Sequence, residues 1–313
     1  MSLRCAVVGV GHLGRFHAQK YKLIPESTLI GVCDATEATA RKVADELNVA
    51  WFTSARDLIG KVDAVTIAAS TGAHFELCKM FLENGVHVLV EKPITETSEQ
   101  GVRLCEIAEQ KGVRLQVGHV ERFNPALRAV QSKLKDPLFI ECHRLAPFKL
   151  RSMDVDVVLD LMIHDLDVIL SLVKSKPEKV SAVGTPVLTK VNDIANARIE
   201  FESGAVANVT CSRVSQTTQR KFRVFQRDQY LSIDFQAGEV NLLTKTGDLT
   251  PENIPLEHET HSMEKGDALL DETRDFVLSI VENRAVKVSG WDGLNALKLA
   301  EEIIRDAQRR LNR

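Results

Sequence analysis

The sequence predicts an α/β protein: a doubly wound domain on a parallel sheet, then an α+β domain with a mostly antiparallel open sheet. Two observations carry the first half. Short, nearly continuous Val, Ile and Ala runs alternate with helical patterns through the first 120 residues, as strands covered on both faces do. A glycine-rich turn, "GVGHLG", joins the first of these runs to the first helix. The second half rests on a change of grammar: after residue 120 the strands follow one another instead of alternating with helices. The expected domains are residues 1–120 and 121–313.

Residues 4–9 read as the first strand, leading into a helix that Pro25 ends. Residues 28–34 form the second strand, and residues 36–47, rich in alanine, the second helix. Residues 62–69 are a fully apolar strand, and "HFELCKMFLENG" is a helix with Gly85 at its C-terminal cap. After a buried strand at 86–90, Ser98 as N-cap opens a helix that Gly112 closes, and residues 114–118 make one more strand. Beyond lie helices at 125–135 and 157–173, then a hairpin of residues 194–201 and 205–213 about the turn "ESG". Strands at 222–225, 230–235 and 239–243 continue the sheet. "TGDLTPENIPLEHETHS" reads as an irregular loop. Helices at 266–283 and 291–312, the latter capped by Asp292, close the chain.

Composition narrows the function class. A formal net charge of −3 over 313 residues gives no electrostatic reason to expect nucleic acid or an anionic membrane as partner. No apolar run approaches the roughly 20 residues of a membrane helix, and the apolar stretch in "MSLRCAVVGVG" is too short for a secretion signal. Cys5, Cys33, Cys78, Cys105, Cys142 and Cys211 form no Cys-x-x-Cys and several sit in apolar runs, so they read as reduced core residues of a cytoplasmic protein. The histidines show no metal-ligand spacing, and no metal is expected. His119 reads as a cleft-lining or packing residue, and His258 and His261 as solvated.

Gly9, Gly11 and Gly14 form G-x-G-x-x-G between a strand and a helix. The first glycine permits the tight turn, the second lets the backbone approach a pyrophosphate, and the third lets helix pack on strand. The helix N-terminus after them, at His12 and Leu13, offers free N–H groups to phosphates. Asp34 lies twenty residues past Gly14, at the end of the second strand, where a carboxylate hydrogen-bonds ribose hydroxyls and repels a 2′-phosphate. That favours NAD over NADP. "VLVEKPI" places Glu91, Lys92 and Pro93 directly after a buried strand, on the edge where ligands of doubly wound sheets sit.

The helix "VVLDLMIHDLDVILSLV" is apolar nearly all round. At about 100° per residue, Asp160, His164, Asp167 and Ser171 fall in one narrow arc, and only Asp165 lies opposite. Unpartnered polar groups in a core cost a few kcal/mol each, so the stripe faces partners, solvent or a ligand. A core His–Asp pair locking two elements together is the alternative.

With these motifs in place, the chain resembles the Gfo/Idh/MocA family of NAD(P)-dependent oxidoreductases over essentially its whole length. The carriers are "GVGHLG", "AASTGAH", "EKP" and "LDLMIHDLD". The resemblance implies that Lys92, Asp160 and His164 form the catalytic group, and that Ala69, Ser70, Thr71 and His74 line the cofactor with Gly9, Gly11, His12, Leu13, Gly14, Asp34, Glu91 and Lys92. It implies oxidation of a secondary alcohol of a sugar. "VGHVERFNPALRAV" and "RLAPFKLRSMDVDVVLDLMIHDLD" look most like the branch that acts on nucleotide-linked amino sugars. A diphosphate needs cations and N–H donors, for which Arg122, Asn124, Arg144, Lys149, Arg151 and Arg213 are candidates beside Asp160 and His164. A free sugar or inositol as substrate, or a non-catalytic NAD-binding sensor, are the rival readings. An exposed sheet face suits a homodimer or homotetramer.

Overall fold

A computed structural model describes residues 2–150, 153–251, 253–263 and 266–311. The opening alternation becomes β1 (Leu3–Val8), α1 (His12–Tyr21), β2 (Ser27–Cys33), α2 (Glu37–Leu47), β3 (Ala50–Phe52), β4 (Ala64–Ile67), α3 (Thr71–Glu83), β5 (His87–Glu91), α4 (Ser98–Lys111) and β6 (Leu115–Gly118). The strands pair in parallel in the order β3-β2-β1-β4-β5-β6. The order reverses between β1 and β4, which is the switch point of a doubly wound sheet.

The chain continues through α5 (Pro125–Val130), β7 (Phe139–Leu145), a π-helical turn (Val158–Met162), α6 (Ile163–Leu172), β8 (Pro177–Thr185), β9 (Ile194–Phe201) and β10 (Val206–Ser212). Then come β11 (Gln219–Gln226), β12 (Gln229–Asp234), β13 (Glu239–Lys245), β14 (Leu256–Ser262), α7 (Ala268–Val281) and α8 (Gly290–Leu311). The second sheet runs β14-β13-β12-β11-β7-β10-β9-β8, antiparallel except where β7 meets β10. The predicted hairpin is β9–β10, with Gly204 at φ +82° in its turn.

Two compact units result. One comprises Met1–Phe123 with Asp267–Leu297, the other Asn124–Gly266 with Lys298–Arg313. The sequence reading put all residues after 120 in the second domain, but α7 belongs to the first unit. Its Phe276 and Val277 are fully buried in one cluster with Val7, Tyr21 and Leu89. In the second unit Met162, Leu166, Ile169, Ala197, Phe222 and Ile303 are fully buried in a single core.

Several elements differ from expectation for identifiable reasons. β3 has three residues and no fully buried one, so it carries no readable pattern. β7 was missed because its buried positions are Ile140, Cys142 and Arg144, and the arginine masks the alternation. β8 was also missed, as it buries only Ala182 and Gly184. β14 lies inside the stretch read as a loop: an edge strand with a polar, exposed sequence, it is held by backbone pairing to β13 rather than by an apolar face. The N-cap of α4 is Thr97, not Ser98, in a capping box with Gln100. At α8, Ser289 and Asp292 bond reciprocally, so Ser289 shares the capping assigned to Asp292.

Asp165, the polar residue opposite the stripe, is explained by β7. Arg144 Nε and Nη2 donate to the two Asp165 oxygens at 2.8 Å each, with Arg144 4% and Asp165 2% exposed. Removing one partner of a buried ion pair leaves a charge without compensation and costs about 3–5 kcal/mol. Asp165→Ala is therefore expected to lower the unfolding free energy from urea titration by that order, whereas the double substitution R144M/D165L loses much less. Equal losses in both would show that packing, not charge, sets the cost.

Candidate functional site

In the first unit the glycines divide the work unequally. Gly9 has φ +81°, and a Cβ there would stand 2.5 Å from Ala69 N, so the turns after β1 and β4 touch at the switch point. A Cβ on Gly14 would stand 1.8 Å from Gly9 O. Gly11 is different: its φ is −63° and a Cβ would meet nothing within 4 Å. Neither backbone strain nor crowding by this chain explains a glycine there. It fits a group brought close to the backbone, as a pyrophosphate is. α1 has no side-chain cap and no acidic residue in its first turn, so its leading N–H groups face outward with the helix dipole. His12 and Leu13, in that turn, are exposed.

Asp34 braces the same turn. One carboxylate oxygen accepts from Val10 N at 3.0 Å and the other from Thr36 N at 2.9 Å. Each oxygen keeps acceptor capacity for a ribose hydroxyl. Ala69, Ser70 and Thr71 follow β4 at the same edge, with Ser70 exposed. His74 is buried, and its ring nitrogens lie 2.9 Å from Pro93 O and 3.1 Å from Ala69 O. Burial lowers its pKa despite those carbonyls. Expected beside the cofactor, His74 ties the start of α3 to the turn after β5.

That turn carries Glu91, Lys92 and Pro93, with the Lys92–Pro93 peptide cis. Lys92 is half-buried. Glu91 Oε2 accepts from Lys92 N at 3.3 Å, and Glu91 Oε1 lies 2.7 Å from Nε2 of His17, a residue the sequence reading did not single out. Its signal was there: Gly14, His17, Ala18 and Tyr21 form the buried face of α1 at helical spacing. Burial would raise the Glu91 pKa, but the His17 hydrogen bond and the nearby positive groups outweigh it and hold the carboxyl below its usual range.

In the second unit Asp160 lies in the π-helical turn and His164 in the first turn of α6, both half-buried. Asp156, just upstream, accepts from Val158 N at 2.9 Å and from Asn192 Nδ2 at 2.7 Å, fixing the start of this helix. Asp167 is buried, and Ser171 Oγ donates to Val168 O at 2.7 Å. The predicted stripe thus comprises the half-buried pair Asp160 and His164, the buried Asp167, and Ser171 bonded back to its own helix.

The cation candidates separate as well. Arg144 is held by Asp165. Arg213 is 5% exposed, its Nε is 3.7 Å from Asp193 Oδ1, and Nη2 donates to Val155 O. Both are buried and engaged by the protein's own groups. Arg122 Nη2 donates to Lys287 O at 3.4 Å, Asn124 Oδ1 accepts from Ala126 N as the cap of α5, and Lys149 is exposed. Arg151 lies outside the described residues.

Against profiles of known families, residues 3–119 match the Gfo/Idh/MocA oxidoreductase family, described as having an NAD-binding Rossmann fold. Residues 128–232 match the C-terminal domain of the same family. The chain is 39% identical over 302 residues to UDP-N-acetylglucosamine 3-dehydrogenase of Acidithiobacillus ferrooxidans, covering 96% of each. The solved structure of that enzyme superposes with a TM-score of 0.92 over 99% of each chain. A scyllo-inositol 2-dehydrogenase (NAD(+)) of Bacillus subtilis is 31% identical over 68% of each chain. The scyllo-inositol dehydrogenase of Lactobacillus casei, solved with NAD(H) and scyllo-inositol, shares the fold at 23% identity with a TM-score of 0.83.

Gly11→Ala is expected to leave the melting temperature unchanged while weakening NADH binding at least tenfold by fluorescence titration; Gly14→Ala lowers the melting temperature itself. A second test concerns His119, buried near Lys92 and Arg122, with its pKa pushed down to about 3, first by burial and then by those charges. Unfolding restores a pKa near 6.5, so the unfolded chain binds more protons. Stability therefore falls as pH drops from about 6.5 toward 3, by up to about 1.4 kcal/mol per pH unit. His119→Phe should flatten that slope in urea titrations between pH 6.5 and 4.5. An unchanged slope would mean that the ring protonates in the folded protein.

Proposed function

This chain belongs to the Gfo/Idh/MocA oxidoreductase family, and we propose that it oxidises a secondary alcohol of a nucleotide-linked amino sugar with NAD. Its best substrate on this reading is UDP-N-acetylglucosamine, oxidised at the 3-hydroxyl to the 3-keto sugar. The carrying observation is the 39% identity over 96% of both chains to a dehydrogenase of that substrate. The local chemistry supports it.

Gly9, Gly11, Gly14 and the start of α1 at His12 and Leu13 would hold the pyrophosphate, Asp34 the adenosine ribose, and Ala69 to Thr71 the nicotinamide half, with Lys92 at the rim of that crevice. Bound NAD supplies the hydride acceptor. His164 takes the hydroxyl proton, since imidazole titrates nearest neutrality among side chains. Lys92 donates a hydrogen bond to the same oxygen as it gains carbonyl character. Asp160 orients the imidazole or holds the substrate. Arg122, Asn124, Lys149 and Arg151 remain as groups for the diphosphate. Six buried free cysteines suit a reducing cytoplasm, and alternating exposure along β9 suits a homodimer or homotetramer face. No helix among the described residues is long and apolar enough to cross a membrane.

The decisive assay mixes the protein with NAD and a panel containing UDP-N-acetylglucosamine, N-acetylglucosamine and scyllo-inositol, following NADH at 340 nm and identifying the product. NADH formation with the nucleotide sugar is expected. Lys92→Met and His164→Asn should bind NADH normally and turn over at least about a hundredfold more slowly. Turnover of inositol alone would reject the substrate, and full activity in both variants would reject the assigned residues.

A further inference from the structure

We propose that His17 is a positioning residue for Lys92, acting through Glu91. This rests on the reading of Lys92 as the group that contacts the reacting hydroxyl. Three of the four buried positions on α1 are accounted for by their neighbours. Gly14 packs on Gly9, Ala18 lies in the apolar core, and Tyr21 shares a 2.7 Å hydrogen bond with Thr66. His17 is fully buried as well, yet its ring is directed at the end of β5, 74 residues away in sequence.

The carboxylate of Glu91 is fixed from three directions. His17 Nε2 lies 2.7 Å from Oε1, the Lys92 N–H donates to Oε2 at 3.3 Å, and Gly118 of β6 leaves the room it occupies. A Cβ on Gly118 would stand 3.1 Å from Glu91 Cδ and Oε2. A carboxylate oxygen only accepts, so His17 donates from Nε2. The same side chain thereby grips the helix that follows the glycine turn and the peptide from which the Lys92 side chain departs. Reacting groups misplaced by about 1 Å can lose about a hundredfold in rate, which is the scale on which such a brace acts.

Glu272 of α7, also fully buried, offers an oxygen within 4.8 Å of the His17 and Glu91 polar atoms. Such a trio invites comparison with a metal site. Two ligands each about 2.0–2.1 Å from a tetrahedral zinc stand roughly 3.3 Å apart, whereas a 2.7 Å separation is that of a shared proton. The geometry is that of a hydrogen-bonded brace.

The test compares His17→Leu, which removes the donor, with His17→Gln, whose amide nitrogen can reach the same oxygen. Both are made in the full chain and in a Lys92→Met background. Turnover is read with UDP-N-acetylglucosamine and NAD, or with scyllo-inositol should the panel select it, and NADH binding by fluorescence. H17L is expected to lower kcat ten- to a hundredfold with both KM values within threefold of wild type. H17Q should recover kcat to within about fivefold. On K92M, H17L should change the residual rate less than twofold, because it acts through the lysine already removed. Should H17L fail to fold, Glu91→Gln, nearly isosteric, is expected to show the same kcat loss with unchanged NADH binding. Wild-type kcat in H17L, equal losses in H17L and H17Q, or a full further loss on K92M would overturn the brace. Wild-type activity in K92M would instead overturn the reading of Lys92.

Discussion

At Gly14 one added carbon would stand 1.8 Å from the Gly9 carbonyl oxygen, so α1 and the turn before it meet backbone to backbone. Much of the first unit depends on that approach. It sets α1 at the carboxyl edge of the sheet with its leading N–H groups outward and no side-chain cap. It brings Val10 N within reach of Asp34, and by helical spacing it carries His17 to the end of β5. A side chain at position 14 would displace these features together. The contact between Gly9 and Ala69 closes the same edge from the β4 side.

In the second unit the organising constraint is the cost of buried charge. Arg144 answers Asp165, Arg213 answers Asp193, and Asn192 answers Asp156. Asp193 also gathers the N–H groups of Val187, Leu188 and Thr189, which outweigh burial and keep its carboxyl below the usual range. Each pairing immobilises a segment next to the helix of Asp160 and His164. Asp156 holds its start, Arg144 reaches α6 from β7, and Arg213 holds the backbone at Val155. An isolated buried pair is weak evidence for stability. Two such pairs and the Asn192–Asp156 hydrogen bond, set around one helix, restrain the segments that flank it.

Much of this was legible in the residues. Apolar runs between helices marked the parallel sheet, since a strand buried on both faces needs side chains that read that way. The glycine spacing marked the switch point because a close backbone approach leaves glycine little alternative. What escaped detection was polar or long-range. Arg144 hid β7 because an ion pair had replaced an apolar contact at a buried register position. β14 hid because an edge strand satisfied by backbone pairing needs no apolar face. The π-helical turn at Val158–Met162 breaks the 100° step between Asp160 and the regular helix that carries His164, Asp167 and Ser171, so the stripe cannot be drawn through all four by one rotation. His17 and Glu91 were each visible, but nothing local joins residues 74 positions apart.

The same distinction separates reaction from substrate. Of the residues proposed for the reaction, Asp160 and His164 stand on a helix whose start is anchored, and Lys92 lies in the turn directly after β5; a site built on a helix holds geometry better than one on a loop. The groups proposed for a diphosphate are placed differently. Lys149 is an exposed side chain between β7 and the helix, whereas Arg122 sits half-buried in a short 3-10 turn between buried Glu121 and Phe123. Loops accept change without disturbing the scaffold. A relative that carries the name of an inositol dehydrogenase at 31% identity fits such a division, since a fold does not by itself fix the substrate of the site it carries.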